Sequence, residues 1–207
     1  NPSKAFLRNR LGMNLWEEDG PPEDCEPLDL NGLKKYLLKD RLLGIELKME
    51  KDIGLYELEK AEGSLPPGSV GKVWFNEAMR EVDKFVDLWG EQLNGEKSDP
   101  EAFDEVVDGI RLRGELGPFV EGRQLLYRCV EQKLKGKDRL RAWVRHVFAC
   151  AFARSDQVET RFFFLANKFI SFPPLERDVA IGHLKEVLEL YRSGMREALP
   201  FFPNSSY

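Results

Sequence analysis

The sequence predicts an α/β domain in which a small mixed sheet sits among flanking helices, and the order of elements is equally compatible with an α+β arrangement. Three observations carry this. Ile110, Leu112, Gly114 and Leu116 alternate with Arg111, Arg113 and Glu115, the period-two pattern of a strand with one buried and one wet face. A second β-rich run, Gln124 to Val130, follows a turn marked by Gly117, Pro118 and Gly122, so Val106 to Val130 reads as a β-hairpin. On either side of it, apolar residues recur at spacings of three and four, the signature of amphipathic helices.

In chain order, Pro2 to Arg10 reads as a short helix with proline in its first turn and Gly12 as its end. Glu17 to Pro27, rich in acids and prolines, describes a solvated linker. Leu30, Leu33, Leu37 and Leu38 predict a helix over Leu28 to Met49, with Asp29 or Asn31 as its cap. A short helix is expected over Ile53 to Ala61 and a break over Gly63 to Gly68. Val73, Ala78, Val82, Phe85, Val86 and Trp89 then place a long helix over Ser69 to Leu93. Asn94 to Pro100 is a polar loop leading to the hairpin. Beyond the hairpin, Leu140, Trp143, Val144, Val147 and Phe148 predict a helix from Lys137 to Arg154. Glu159 to Leu165 reads as another strand, and Leu175 to Leu199, periodic in Val179, Leu184, Val187, Leu188 and Tyr191, as a closing helix. We expect a helical segment over 1–63 and a core over 64–207, packed as one unit.

A net charge of −5 and an isoelectric point near 5.3 argue against nucleic-acid binding by bulk electrostatics, so any such contact must be local or shared with other chains. The cysteines Cys25, Cys129 and Cys150 are odd in number and lack paired metal-ligand spacing, which fits a reducing compartment and argues against a structural zinc site. With no signal peptide and no apolar run of roughly 18–20 residues, the expected location is the cytoplasm. The chain begins at Asn1 rather than Met and stops after an apolar stretch, which reads as a piece of a longer protein.

Six stretches carry a family resemblance: NPSKAFLRNRLG at 1–12, PLDLNGLKKYLLKDRLL from Pro27, LPPGSVG from Leu65, GIRLRGEL from Gly109, KDRLRAWVRHV from Lys137 and LPFFPNSSY from Leu199. In these the chain resembles the C-terminal domain of the exodeoxyribonuclease V gamma chain, the RecC family, in the family's order over nearly all 207 residues. The resemblance implies a restriction-endonuclease-like core, a mixed sheet with flanking helices, shared with the active nuclease domain of the beta subunit. In that active relative a helix histidine in G-x-x-x-H, an aspartate in G-x-x-D and a D-x-K pair hold Mg²⁺ and place the attacking water. Matched to that pattern, Gly71 puts Phe75 at the histidine position and Gly114 puts Gly117 at the first acid. Leu125 and Leu126 put Tyr127 and Cys129 at the second acid and the lysine. Phenylalanine cannot ligate a metal, and a phenol with a pKa near 10 is a poor Mg²⁺ ligand. The matched register therefore leaves no catalytic site, and no metal or other cofactor is expected in this domain, with Mg²⁺ and ATP used by other subunits.

The implied role is a non-catalytic domain that mediates contacts with the beta (RecB) and alpha (RecD) subunits and handles the DNA end in double-strand-break repair. The alternative is an active Mg²⁺-dependent nuclease using the literal E-x-K of Glu131 and Lys133, with Asp108 or Glu115 as the partner acid; Glu115 shares a strand face with Arg111 and Arg113, which favours a salt-bridged surface instead. A third possibility is a DNA-binding module acting alone. Its candidates are the basic run Lys133, Lys135, Lys137, Arg139, Arg141 and Arg145, interrupted by Asp138 and beside Trp143. This run reads either as a solvated helix face or as a surface for phosphate or an acidic partner. Active relatives carry Q-x-x-x-Y on this helix, where Arg139 and Trp143 stand here. His146 and His183 read as surface or satisfied core residues, and Cys129 and Cys150 as small apolar ones. Phe162, Phe163 and Phe164 are expected in the core. Phe201 and Phe202 belong either to the core or to a partner interface.

Overall fold

The computed structural model describes residues 6–8, 10–13, 32–47, 54–128, 135–165, 168–197 and 199. The first helical turns at residues 6–8 and 10 give way to Gly12, which takes a left-handed φ of 61° as the predicted end of that helix. There follow α1 (Gly32–Glu46), α2 (Leu55–Ala61), α3 (Gly68–Leu93), the strands β1 (Glu101–Val107), β2 (Ile110–Leu116), β3 (Phe119–Val120) and β4 (Arg123–Arg128), then α4 (Gly136–Phe152), β5 (Thr160–Phe164), β6 (Phe169–Phe172) and α5 (Arg177–Arg196).

The strands form two sheets, and here the predicted hairpin is corrected. The Ile110–Leu116 strand pairs with β1, of which only Val106 and Val107 fall within the predicted hairpin, and not with the Gln124 strand. Its turn is Asp108–Gly109, with φ of 50° and 74°, a two-residue turn whose twist suits antiparallel partners. The Gln124 strand is β4 of a four-stranded sheet ordered β3-β4-β5-β6. Its hairpin partner is the short β3, across Glu121–Gly122 with φ of 49° and 76°. β4 and β5 run parallel, which requires a crossover, and α4 supplies it. β6 lies antiparallel to β5. The sheet is thus mixed, with a β-α-β unit at its centre and antiparallel strands at its edges.

Helices cover both faces of this sheet. On one, Phe163 of β5 is fully buried against Trp89 of α3, with ring centroids 5.0 Å apart. The Trp89 indole also donates to the Phe164 carbonyl at 2.9 Å. α1 packs behind α3 through Leu38, Leu42 and Leu43, so the helices of the N-terminal segment share one apolar cluster with Phe85 and Phe163. On the other face, Thr160 meets His146 of α4. The β1–β2 hairpin and α5 close over α4 in a second cluster, where Phe103 of β1 stacks on Phe152 at 5.0 Å.

Several predicted helix faces shift. On α3 the buried residues are Ala78, Val82, Phe85 and Trp89, whereas Val73 is exposed, because five residues before Ala78 is about 140° from that stripe. On α1, Leu33 and Leu37 face outward while Leu42 and Leu43 are buried, since the latter side packs into the apolar cluster shared with α3. On α5 the buried stripe is Ala180, Leu184 and Leu188, with Val179 and Tyr191 exposed. Phe162 and Phe163 are core, as expected, with Phe164 partly buried.

Candidate nucleic-acid interface

The basic run resolves into separate environments because α4 is packed on three sides. His146 and Cys150 face the sheet, Phe148 and Phe152 meet β1, and the Trp143 ring lies edge-on to His183 of α5, 5.5 Å away. Trp143 is therefore packed against α5 instead of standing beside the basic run. Lys137, Arg141 and Arg145, four residues apart, form one exposed stripe on the remaining side. Lys135 precedes the helix as its N-cap, and Arg139 is exposed on another side. Lys133 lies outside the described residues, as do Cys129, Glu131, Phe201 and Phe202.

Asp138, which interrupts the run in sequence, does not neutralise its exposed cations. It is buried in the first turn of α4 and pairs with Arg128 of β4. The Arg128 guanidinium also stands over the Tyr36 ring at 4.6 Å, and its Nε is buried without a hydrogen-bond partner among the described residues. Neither Arg128 nor Tyr36 was among the candidates read from the sequence, because both depend on α1 and α4 meeting at the end of β4.

Two of the four matched positions line one cleft of about 510 Å³ between the β2 end, β4 and α4. Gly117 lies at one wall and Tyr127 at another, with Glu115, Lys97 and Arg145 as its charged groups. Gly117 has φ of 87°, and a Cβ there would meet the Phe119 ring and backbone at 3.1 Å, so the turn out of β2 disfavours any side chain, an aspartate included. Gly114 is covered by its cross-strand partner Phe103, whose ring would lie 2.9 Å from an added Cβ. Tyr127 is 42% exposed, its ring leaning toward Phe85, and burial together with the nearby Asp40 pushes its phenol above the ordinary range. Phe75 is elsewhere, packed edge-on to Tyr56 of α2 at 5.5 Å.

The acids do not converge. Asp108, at the β1–β2 turn, pairs with Arg192 of α5. Glu115 is near the opposite end of β2, roughly 20 Å along the strand at about 3.3 Å per residue. Mg²⁺ binds carboxylate oxygen at about 2.0–2.1 Å, so those two cannot share one ion. The expected salt-bridged surface on this strand face is present, with Asp104 of β1 as its acid. Arg111 and Arg113 both engage Asp104 across the hairpin, at 2.6 and 3.1 Å. Among the described residues no group of three His, Cys, Asp or Glu side chains could hold a metal ion.

The buried polar cluster at the sheet is satisfied. The Thr160 hydroxyl donates to Gln124 Oε1 at 3.1 Å, and His146 Nδ1 lies 2.9 Å from the same hydroxyl oxygen. Cys150 Sγ is 3.6 Å from His146 Nε2 and donates to the Val158 carbonyl. Burial pushes the His146 pKa down, partly offset by the Pro173 carbonyl, and pushes the Cys150 thiol up. Both are held neutral, opposite to a thiolate–imidazolium pair. His183 is partly exposed beside Glu186, 3.1 Å away. Because unfolding frees His146 to take a proton, its stabilising contribution is present above the unfolded pKa of about 6.5 and is lost below it. The unfolding free energy from urea denaturation should fall from pH 7.5 toward pH 5.5, with a slope of at most about 1.4 kcal/mol per pH unit from this one group. The same slope in His146→Gln would assign it to other groups.

These elements define a mixed α/β domain whose central crossover helix borders a cleft with cations on its walls and Glu115 as its acid. The model of the RecC C-terminal domain family matches residues 1–207, and the chain belongs to that family. It is 28% identical over 206 residues to the RecBCD enzyme subunit RecC of Escherichia coli strain K12, covering 99% of this chain and 18% of that protein. The RecC subunit of Mycolicibacterium smegmatis is 27% identical over 214 residues, covering 100% of this chain and 19% of the relative. That of Haemophilus influenzae is 24% identical over 197 residues, covering 92% and 17%. The chain thus spans less than a fifth of the length of these relatives. Among the described residues no helix is long and apolar enough to cross a membrane.

Proposed function

We propose that this chain is a non-catalytic, restriction-endonuclease-like domain of a RecC subunit, acting in a RecBCD-type helicase–nuclease during double-strand-break repair and recombination. Its work is contact with the RecB and RecD subunits and handling of the DNA end, in the cytoplasm, while Mg²⁺ and ATP serve other subunits. The observation that carries this reading is the family match over the whole chain. It is supported by a cleft in which the matched acid positions hold Gly117 and Tyr127, and by the separation of Asp108 from Glu115. Residues 1–63 and 64–207 act as one packed unit in this reading.

The test is incubation of the full chain with single- and double-stranded DNA in Mg²⁺ or Mn²⁺. No cleavage above a metal-free control is expected. Cleavage abolished by Glu131→Ala or Glu115→Gln would replace this reading with an active nuclease built on Glu131 and Lys133. For the assembly, co-purification of full-length RecC with RecB and RecD should weaken when this domain is deleted, and unchanged co-purification would remove subunit contact from the proposal.

A further inference from the structure

We propose that Gln124, Thr160 and His146 form a proton-linked relay that decides whether the floor of the 510 Å³ cleft presents a hydrogen-bond donor or an acceptor. The relay needs neither DNA nor a partner subunit, so it stands apart from the reading above.

Gln124 faces two ways. It is 6% exposed and lines the cleft, while its Oε1 is turned inward to the Thr160 hydroxyl. Its Nε2 makes no hydrogen bond among the described residues and is the amide atom left for the cleft.

Thr160 passes this choice to the ring. A hydroxyl has one proton, and here it goes to Gln124, so the Thr160 oxygen, 2.9 Å from His146 Nδ1, accepts from an Nδ1–H. The Pro173 carbonyl also faces the ring as an acceptor, and the Cys150 thiol donates to the Val158 carbonyl. Two acceptors around two ring nitrogens suit an imidazolium. A neutral ring carries one proton and leaves one of these contacts empty. Turning the Gln124 amide over restores it: Nε2–H donates to the Thr160 oxygen, the Thr160 proton goes to His146 Nδ1, and His146 Nε2–H faces Pro173. The neutral state therefore shows Oε1 to the cleft, and the protonated state shows Nε2–H. One proton enters at the ring from solvent, and the rest is reorientation of one amide and one hydroxyl. An occupant of the cleft must offer a hydroxyl or N–H to the first state and a carbonyl or other acceptor to the second.

The ring is the trigger because neutral groups surround it. Phe172 of β6 stacks on it with centroids 5.5 Å apart, Thr160 meets it from β5, and Cys150 lies one turn along α4. The Leu175 carbonyl, at the approach to α5, reaches Cys150, whose thiol burial keeps protonated. Nearby charged side chains are engaged elsewhere: Glu159 pairs with Arg161 at 2.8 Å, Arg177 pairs with Asp156 at 3.2 Å, and Arg145 is exposed. Burial holds the His146 pKa below its ordinary value, so the acceptor state prevails at neutral pH. The donor state is entered as pH falls through the lowered value.

Heteronuclear NMR of the nitrogen-labelled full chain, from about pH 7.5 to about pH 5.5, tests this. At the upper end His146 is expected as the Nε2–H tautomer, with Nδ1 unprotonated. The Gln124 side-chain amide signals should move with the ring signals at one shared midpoint, below about 6.5. Thr160→Val removes the link, so His146 should still titrate while the Gln124 signals stop following it. Gln124→Glu offers only acceptors when ionised, and should raise the His146 midpoint by at least about 1 pH unit. Cys150→Ala should leave the ring and amide signals moving together. An Nδ1–H tautomer at neutral pH, Gln124 signals that stay still while His146 titrates, or joint titration that persists in Thr160→Val would each overturn the relay. A ring that stays neutral until the domain unfolds would overturn it too. The tautomer and the shared midpoint are read in the parent chain, so they decide the matter even where a variant fails to fold.

Discussion

Asp138→Leu is expected to destabilise the domain by about 3–5 kcal/mol, far more than an exposed helix acid could. Asp138 is 6% exposed and pairs with Arg128, which is itself only 20% exposed and already has an unbonded buried Nε. Removing the carboxylate leaves a guanidinium buried with the Tyr36 ring as its main compensation, and takes an acid from the first turn of α4. Replacing both partners, Arg128→Met with Asp138→Leu, should recover most of the loss, because an apolar pair incurs no desolvation cost. Urea denaturation of the two single variants and the double variant provides the check. A single-variant cost below about 1 kcal/mol, or a double variant no better than the sum, would show that the pair is solvated and contributes little.

Phe163→Ala should cost a further sort of stability, about 3–5 kcal/mol through loss of apolar burial and the cavity left behind. Phe163 is fully buried where β5 meets α3, and it touches Trp89 and Phe169 at centroid distances of 5.0 and 5.5 Å. The cavity would open between the sheet and α3, so the wild-type tryptophan emission should shift to longer wavelength as Trp89 gains water. Leu190→Ala, at a position 60% exposed on α5, should change stability by no more than about 0.5 kcal/mol. Similar denaturation midpoints for the two variants would place Phe163 outside the structural core.

Much of the architecture was legible locally. The periodicities over 69–93, 137–154 and 175–199 locate α3, α4 and α5 to within a few residues, because a 3.6-residue apolar repeat survives any choice of neighbour. Strand pairing did not follow so simply. The alternation at Ile110–Leu116 identifies a strand and its faces, yet alternation carries no information about the partner. Asp108–Gly109 was the available signal for the true hairpin, a Asp-Gly pair between β-rich runs, and Gly117–Pro118 with Gly122 competed with it as a turn. The sequence shows no strand over residues 101–105 of β1 because the acids there and the exposed Val106 obscure the period, and none at β6 because four residues are too few to show one.

The candidate site was legible as residue types and illegible as a place. The substitutions at Gly117 and Tyr127 can be seen in the sequence once the resemblance is drawn, as can the cations of α4. That Gly117 and Tyr127 line the same cleft, while Phe75 packs against Tyr56, depends on where β2, β4 and α3 come to rest. So does the separation of the basic run into the exposed stripe Lys137, Arg141 and Arg145 and the inward Asp138.

By itself the sequence determined the family, the principal helices and the chemistry available to them, since these depend on residue identity and short-range spacing. Only the tertiary structure decided which strands pair, which acids are occupied by arginines and which cations share a cleft. Those outcomes are set by contacts between residues far apart in the chain, Tyr36 with Arg128 and Asp108 with Arg192 among them, and their geometry exists only once the layers have packed.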